Sequence, residues 1–181
     1  MEKNKTKIQK VAVFLSANDL EEKYTRPAAK LGALLAKAGF DLVFGGDDKG
    51  LMKVVADAVQ QNGSRIIAVT AKKLEYKCKQ NADEKIVAAT IAERKQIMSE
   101  KADAFVVLVG GIGTLGEGMV VLGQKKHQVH DKPLIFLNID NFYSGLQSQL
   151  QKMEKDGFLP KKISELADFV ETAEEVIEKL V

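Results

Sequence analysis

Ala104-Phe105-Val106-Val107-Leu108-Val109 runs directly into Gly110-Gly111-Ile112-Gly113-Thr114-Leu115-Gly116-Glu117. A continuous apolar run of this length reads as a strand buried on both faces, the kind a parallel sheet uses. It stops at a glycine-rich turn, and a helix-like segment begins at once. Glycines let a backbone approach a phosphate closely, and the free N–H groups of a first helical turn point at an anion. The stretch therefore reads as strand, phosphate cradle and helix. Glu117 follows one turn in. An acid repels a phosphate, so this carboxylate is expected to serve another part of the ligand. The combination predicts a phosphorylated small molecule with chemistry or recognition beside the phosphate.

Outward from this stretch, apolar β-type runs alternate with amphipathic helical runs. Strands are expected at residues 11–15, 41–44, 65–69, 104–109 and 134–139, with a short one at Phe169-Val170. Helices are expected at 21–38, 49–61, 114–125 and 142–155, with a terminal helix opened by the capping box Thr172-Ala173-Glu174-Glu175. Ala28, Leu31, Leu34, Leu35 and Ala38 form one stripe of the first helix, and Gly39 ends it. Asp47 or Asp48 is available as N-cap for the second. Residues 71–85 are polar and lysine-rich without clear periodicity. They read as a long loop that covers a site. Thr90-Ile91-Ala92-Glu93 fits a further capping box, which places Arg94 and Lys95 within about one turn of a helix N-terminus.

Strict alternation predicts an α/β fold: a single-domain, doubly wound parallel sheet over residues 1–181 with helices on both faces. Ligands in such folds bind beyond the carboxyl ends of the strands. Three strand ends converge there: Ser16-Ala17-Asn18, Gly45-Gly46 and Gly110-Gly111.

Composition narrows the function. The chain has 181 residues, enough for one sizeable core. Lys plus Arg total 27 against 25 acids, which argues against a nucleic-acid partner needing a dense basic face. The single cysteine, Cys78, cannot form an internal disulfide and reads as a spare loop thiol. His127 and His130 sit at a chain turn and do not suggest a metal site, and no cofactor is expected. Met1-Glu2-Lys3-Asn4-Lys5 is charged, leads into a strand and has no signal-peptide core. No segment reaches membrane-spanning length, so a cytoplasmic protein with no membrane partner is expected.

Each candidate site residue has a plainer reading. Gly111-x-Gly113-x-x-Gly116 matches a dinucleotide fingerprint, with Asp140 as the ribose acid, but it follows the fourth strand rather than the first. Glu117 would in the plain reading only complement the helix dipole. Arg94 and Lys95 would be a solvated basic face, whereas their placement near a strand end suits an Arg that holds phosphate or ribose oxygens. Gly45-Gly46 through Gly50 reads equally as a second phosphate turn or a plain connection. Met52, Met98 and Met119 read as core or interface residues.

Taken together these residues resemble the LOG (Lonely Guy) family, often labelled lysine decarboxylases. Its PGGxGTxxE motif is matched from Val109-Gly110-Gly111-Ile112-Gly113-Thr114 to Glu117, and its Arg-Lys pair by Arg94-Lys95. Its GG-x-x-x-GLM turn is matched by Gly45-Gly46 through Gly50-Leu51-Met52. His130-Asp131-Lys132-Pro133, Phe136-Leu137-Asn138 and Phe142-Tyr143 match two further segments. The resemblance implies a Rossmann-like fold, a homodimer, and hydrolysis of the N-glycosidic bond of a nucleoside 5′-monophosphate of AMP or cytokinin-ribotide type. It implies that Arg94 and Glu117 are catalytic, and that Lys95, Gly110, Gly111, Gly113, Thr114, Gly45, Gly46 and Ser16 bind substrate. Departures are Val109 for the motif proline, Thr90-Ile91-Ala92 for Asp-Met-His, and Val120 for a second Glu. Gly123-Gln124 and Lys126 stand for Thr-Trp and Gln. The alternative is a non-catalytic nucleotide-like binder or molybdenum-cofactor carrier of the same architecture.

Overall fold

A computed structural model describes residues 7–181; the expectation for residues 1–5 lies outside them. Seven parallel strands form one sheet: β1 (Lys10–Phe14), β2 (Asp41–Phe44), β3 (Ile66–Ala71), β4 (Glu84–Ala88), β5 (Ala104–Val107), β6 (Leu134–Leu137) and β7 (Asp168–Val170). Their order is β4-β3-β2-β1-β5-β6-β7. The chain builds outward from β1 to one edge, returns, and builds outward from β1 to the other. The reversal falls between β1 and β5, which is where an open α/β sheet leaves its ligand crevice.

Side-chain alternation explains why both faces are covered. Val11, Val13 and Leu15 enter one apolar cluster, while Ala12 and Phe14 enter the other. The first face is closed by α1 (Glu22–Lys37), α2 (Gly50–Gln61) and, at the end of the chain, Val176 and Leu180 of a terminal helix. The second is closed by α3 (Ile91–Lys101), α4 (Ile112–Lys126), α5 (Ser144–Lys155) and the short α6 (Ile163–Leu166). The terminal helix α7 (Ala173–Leu180) begins at the expected capping box, in which Thr172 Oγ1 accepts from Glu175 N and Glu175 Oε2 accepts from Thr172 N. Phe14, Phe44, Phe105 and Phe136 are fully buried, and each contributes roughly 1.5–3 kcal/mol of apolar transfer. Among the described residues no helix is long and apolar enough to cross a membrane.

Four expectations are corrected. Residues 71–85 are not an irregular loop: Lys72–Lys77 forms a 3₁₀ turn, and the strand β4 opens at Glu84. The turn is pinned rather than loose. Asp47 and Cys78 form an antiparallel bridge, and Lys79, almost wholly buried, donates to Asp48 at 3.0 Å and Asp57 at 2.6 Å. Neither Asp47 nor Asp48 caps α2; Lys49 holds that position without a side-chain bond, and the Asp48 carboxylate is taken by Lys79. Cys78 is buried beneath it rather than spare, and burial pushes its thiol up. The box at Thr90 is only half formed: Thr90 Oγ1 accepts from Glu93 N, but Glu93 returns its carboxylate to Ala89 N. The methionine reading holds, with Met52 and Met98 buried and Met119 packed on the second cluster.

Candidate active site

Strand β5 ends in the turn that begins the site. Helix α4 starts at Ile112, with Gly111 as N-cap and no side chain closing it. Its first N–H groups therefore lack intrahelical acceptors and face outward at the positive end of the helix dipole. A Cβ added at Gly111 or Gly113 would meet nothing within 4 Å, so the protein itself does not require glycine there. Gly110 is different: a Cβ would overlap the Thr114 side chain, which folds back beneath the turn. Tyr143 supports the turn from below. Its hydroxyl donates to the Leu108 carbonyl at 2.5 Å, and Asn138 Oδ1 accepts from Tyr143 N at 2.6 Å.

One turn into α4, Glu117 points inward and meets Arg94 from α3. Arg94 Nη1 donates to Glu117 Oε1 at 2.7 Å, and Arg94 Nε donates to the Val69 carbonyl of β3 at 2.8 Å. Both side chains are more than nine-tenths buried. Removing one partner of such a pair leaves an uncompensated charge and costs about 3–5 kcal/mol. Burial pushes the Glu117 carboxyl up from its ordinary value; the Arg94 guanidinium and the Lys95 ammonium pull back without overcoming it. A raised carboxylate is a stronger proton acceptor. The room for this pair comes from Gly45, where a Cβ would overlap Arg94 Nη2.

These groups line one cleft of about 260 Å³ at the carboxyl ends of the strands. Of the candidate residues, Ser16, Gly111, Gly113, Thr114, Arg94 and Glu117 line it together. Ser16 Oγ accepts from Asn18 N and keeps its own proton to donate. Lys95, Gly45, Gly46 and Gly110 are not among the lining residues. Gly45 and Gly46 lie beneath the cleft against Arg94 and Cys78. Lys95, about 100° further round α3, lines a larger groove of about 850 Å³ with Val120, Gln124, Val129 and His130, its ammonium close to Gly116 of α4. Asp140, the ribose acid of the dinucleotide reading, is spent on an exposed pair with Lys23 at 2.9 Å. Sequence reasoning missed Asp47, Met52 and Leu74 as cleft residues. For Asp47 a signal existed, since it directly follows the glycines of a strand end.

Among the described residues no cluster of metal-ligating side chains occurs. The family model described as "Possible lysine decarboxylase" matches residues 52–180. The cytokinin riboside 5′-monophosphate phosphoribohydrolase LOG3 of Arabidopsis thaliana is 34% identical over 97% of this chain and 83% of its own. The protein of the same enzyme name from Mycobacterium tuberculosis is 36% identical over 82% of this chain and 81% of its own. Among solved structures, the molybdenum cofactor binding protein of Rippkaea orientalis aligns over 96% of this chain and 95% of its own. Its TM-score is 0.74 and its identity 22%, a likeness of fold alone.

Proposed function

This chain belongs to the LOG family, the family described as possible lysine decarboxylases, and from that premise we propose that it hydrolyses the N-glycosidic bond of a nucleoside 5′-monophosphate. The substrate is of AMP or cytokinin-ribotide type, and the products are the free base and ribose 5-phosphate. One observation carries the reading: the buried Arg94–Glu117 pair lies one helical turn from an uncapped helix N-terminus whose glycines face open space.

The geometry supports a division of labour. The N–H groups at the start of α4, with Thr114, hold the 5′-phosphate. That places the ribose over Glu117. Cleavage passes through an oxocarbenium-like sugar, and a carboxylate beside it stabilises the positive charge and takes a proton from the attacking water. Arg94 keeps Glu117 oriented, and its Nη2, which makes no hydrogen bond among the described residues, remains for a ribose or phosphate oxygen. Lys95 acts from the far side of α4 through its charge on Glu117. A decarboxylase acting through a Schiff base needs an amine in the cleft. No lysine lines it.

The larger groove supports a second proposal, that two copies pair through α3 and α4. Val120 and Val129 expose apolar surface there, 39% and 71% of each residue. Sedimentation of the purified protein is expected to give twice the mass of one chain; a monomer at micromolar concentration rules the pairing out.

The activity is tested by incubating purified protein with AMP and with an isopentenyl-adenine ribotide, then separating base from ribose 5-phosphate. Base release is expected, and Glu117→Gln is expected to lower kcat by on the order of 10²–10⁴-fold while still binding nucleotide. Tight binding with no release from the wild-type protein would instead make it a carrier of the same fold.

A further inference from the structure

The cleft holds a second carboxylate that the hydrolytic reading leaves idle. Asp47 follows Gly46 beyond the end of β2 and lines the cleft with Met52, Leu74, Arg94 and Glu117. Its backbone is fixed by the bridge to Cys78. Every neighbouring acid has a partner. Asp48 is paired with Lys79 and Lys53, and Glu117 with Arg94. The Asp47 side chain makes no ion pair or hydrogen bond among the described residues; only the more distant charges of Lys77 and Arg94 act on it.

Its position along a bound nucleotide follows from the strand order. β5, β1 and β2 are neighbours. Strands lie about 4.8 Å apart, so Asp47 stands roughly 10 Å across the crevice from the glycine turn after β5. A 5′-phosphate on α4 and a ribose over Glu117 send the base toward β2. There Met52 and Leu74 provide apolar walls, and Asp47 provides the only carboxylate other than Glu117 among the lining residues.

We propose that Asp47 is a catalytic residue, the general acid that meets the leaving base and gives it a proton as the glycosidic bond breaks. This rests on the hydrolase reading above. In the step, the C1′–N9 bond breaks and its electron pair goes to the base. The Asp47 carboxyl proton passes to a ring nitrogen, so the base leaves neutral. Water adds to C1′, and its proton passes to the Glu117 carboxylate. Solvent then reprotonates Asp47 and receives the proton held by Glu117.

Two carboxyl groups on opposite sides of a scissile bond are the general solution for glycoside hydrolysis, and their environments divide the roles. Here the division is visible. Protonating Glu117 breaks its 2.7 Å bond to Arg94, whereas protonating Asp47 breaks nothing. Burial pushes the Asp47 carboxyl up from its ordinary value against the pull of Lys77 on the 3₁₀ turn and Arg94 on α3. Asp48 and Cys78 beside it and Glu117 across from it bring no positive charge, and the nearby Lys79 ammonium is taken up by Asp48 and Asp57.

The test is the pH dependence of kcat with saturating AMP for the wild-type protein, Asp47→Asn and Asp47→Ser. Wild-type kcat is expected to fall as pH rises through the Asp47 pKa, because the acid form is lost. Both variants are expected to lose on the order of 10²–10⁴-fold in kcat, with KM changed far less, and to lose that falling limb. Added formic acid is expected to restore part of the rate to Asp47→Ser, which a merely structural residue does not allow. Base release by either variant at the wild-type rate, with the limb intact, overturns the proposal and leaves the hydrolase reading standing. A wild-type protein that releases no base from any ribotide overturns both.

Discussion

The molecule carries two glycine turns at the carboxyl ends of its strands, one after β2 and one after β5, and glycine serves opposite ends in them. After β2 the protein fills the space. A Cβ at Gly45 would overlap the Arg94 guanidinium, and one at Gly50 would overlap the backbone of Ala17 and Asn18. Gly50 also holds φ of +57°, where a side chain is strained. After β5, Gly111 and Gly113 face nothing that belongs to the protein. The first turn is glycine for packing; in the second, Gly110 packs on Thr114 while Gly111 and Gly113 stay open to whatever binds. A glycine motif read from sequence alone does not separate these cases, since both sit between a strand and a helix. The space around an added Cβ does.

This contrast can be broken by substitution. The largest effect is expected at Gly45→Ala, which drives Arg94 from Glu117 and from the Val69 carbonyl. Overpacking of this kind costs roughly 1–3 kcal/mol, and kcat should fall with stability. Denaturant unfolding and base release measure the two together; an alanine accepted there with full activity shows that Arg94 need not occupy that place. Next is Gly111→Ala, expected to raise KM for a 5′-monophosphate by about tenfold, corresponding to about 1.4 kcal/mol, with a loss of stability of under about 1 kcal/mol because alanine is a poorer N-cap than glycine. Smallest is the stability change at Gly113→Ala. Inside α4 the new methyl favours helix by roughly 0.5–1 kcal/mol, so the protein should melt higher while binding phosphate less well. If both alanines leave KM unchanged, the open turn is not where the phosphate sits.

Much of the fold was legible because parallel strands buried on both faces have plain sequences. Ala104 to Val107 is apolar throughout, and β1, β2 and β6 are nearly so. The exception, β4, lies at the sheet edge. Its Glu84-Lys85-Ile86-Val87 alternates in burial and carries charges, as exposed edges do, so it reads as loop. The candidate site was legible where one element carried it. The run from Gly111 to Glu117 is continuous in sequence, and the box at Thr90 placed Arg94 on a helix start. The two halves of the Arg-Lys pair parted because successive residues on a helix point about 100° apart. Arg94 therefore turns into the cleft and Lys95 into the groove. Asp47 escaped because an aspartate before a helix looks like a cap, and that reading masked its place in the cleft directly after the glycines of a strand end.

The bond from Arg94 Nε to the Val69 carbonyl has a calorimetric consequence. A free arginine carries about 2 kcal/mol of rotamer entropy that a ligand must quench on arrival. Here β3 quenches it when the chain folds, and the guanidinium waits in one rotamer, already stripped of water. A nucleotide engaging it therefore gives up less disorder, and its heat of binding is offset by a smaller entropic loss than an arginine standing free at the mouth of the cleft would impose.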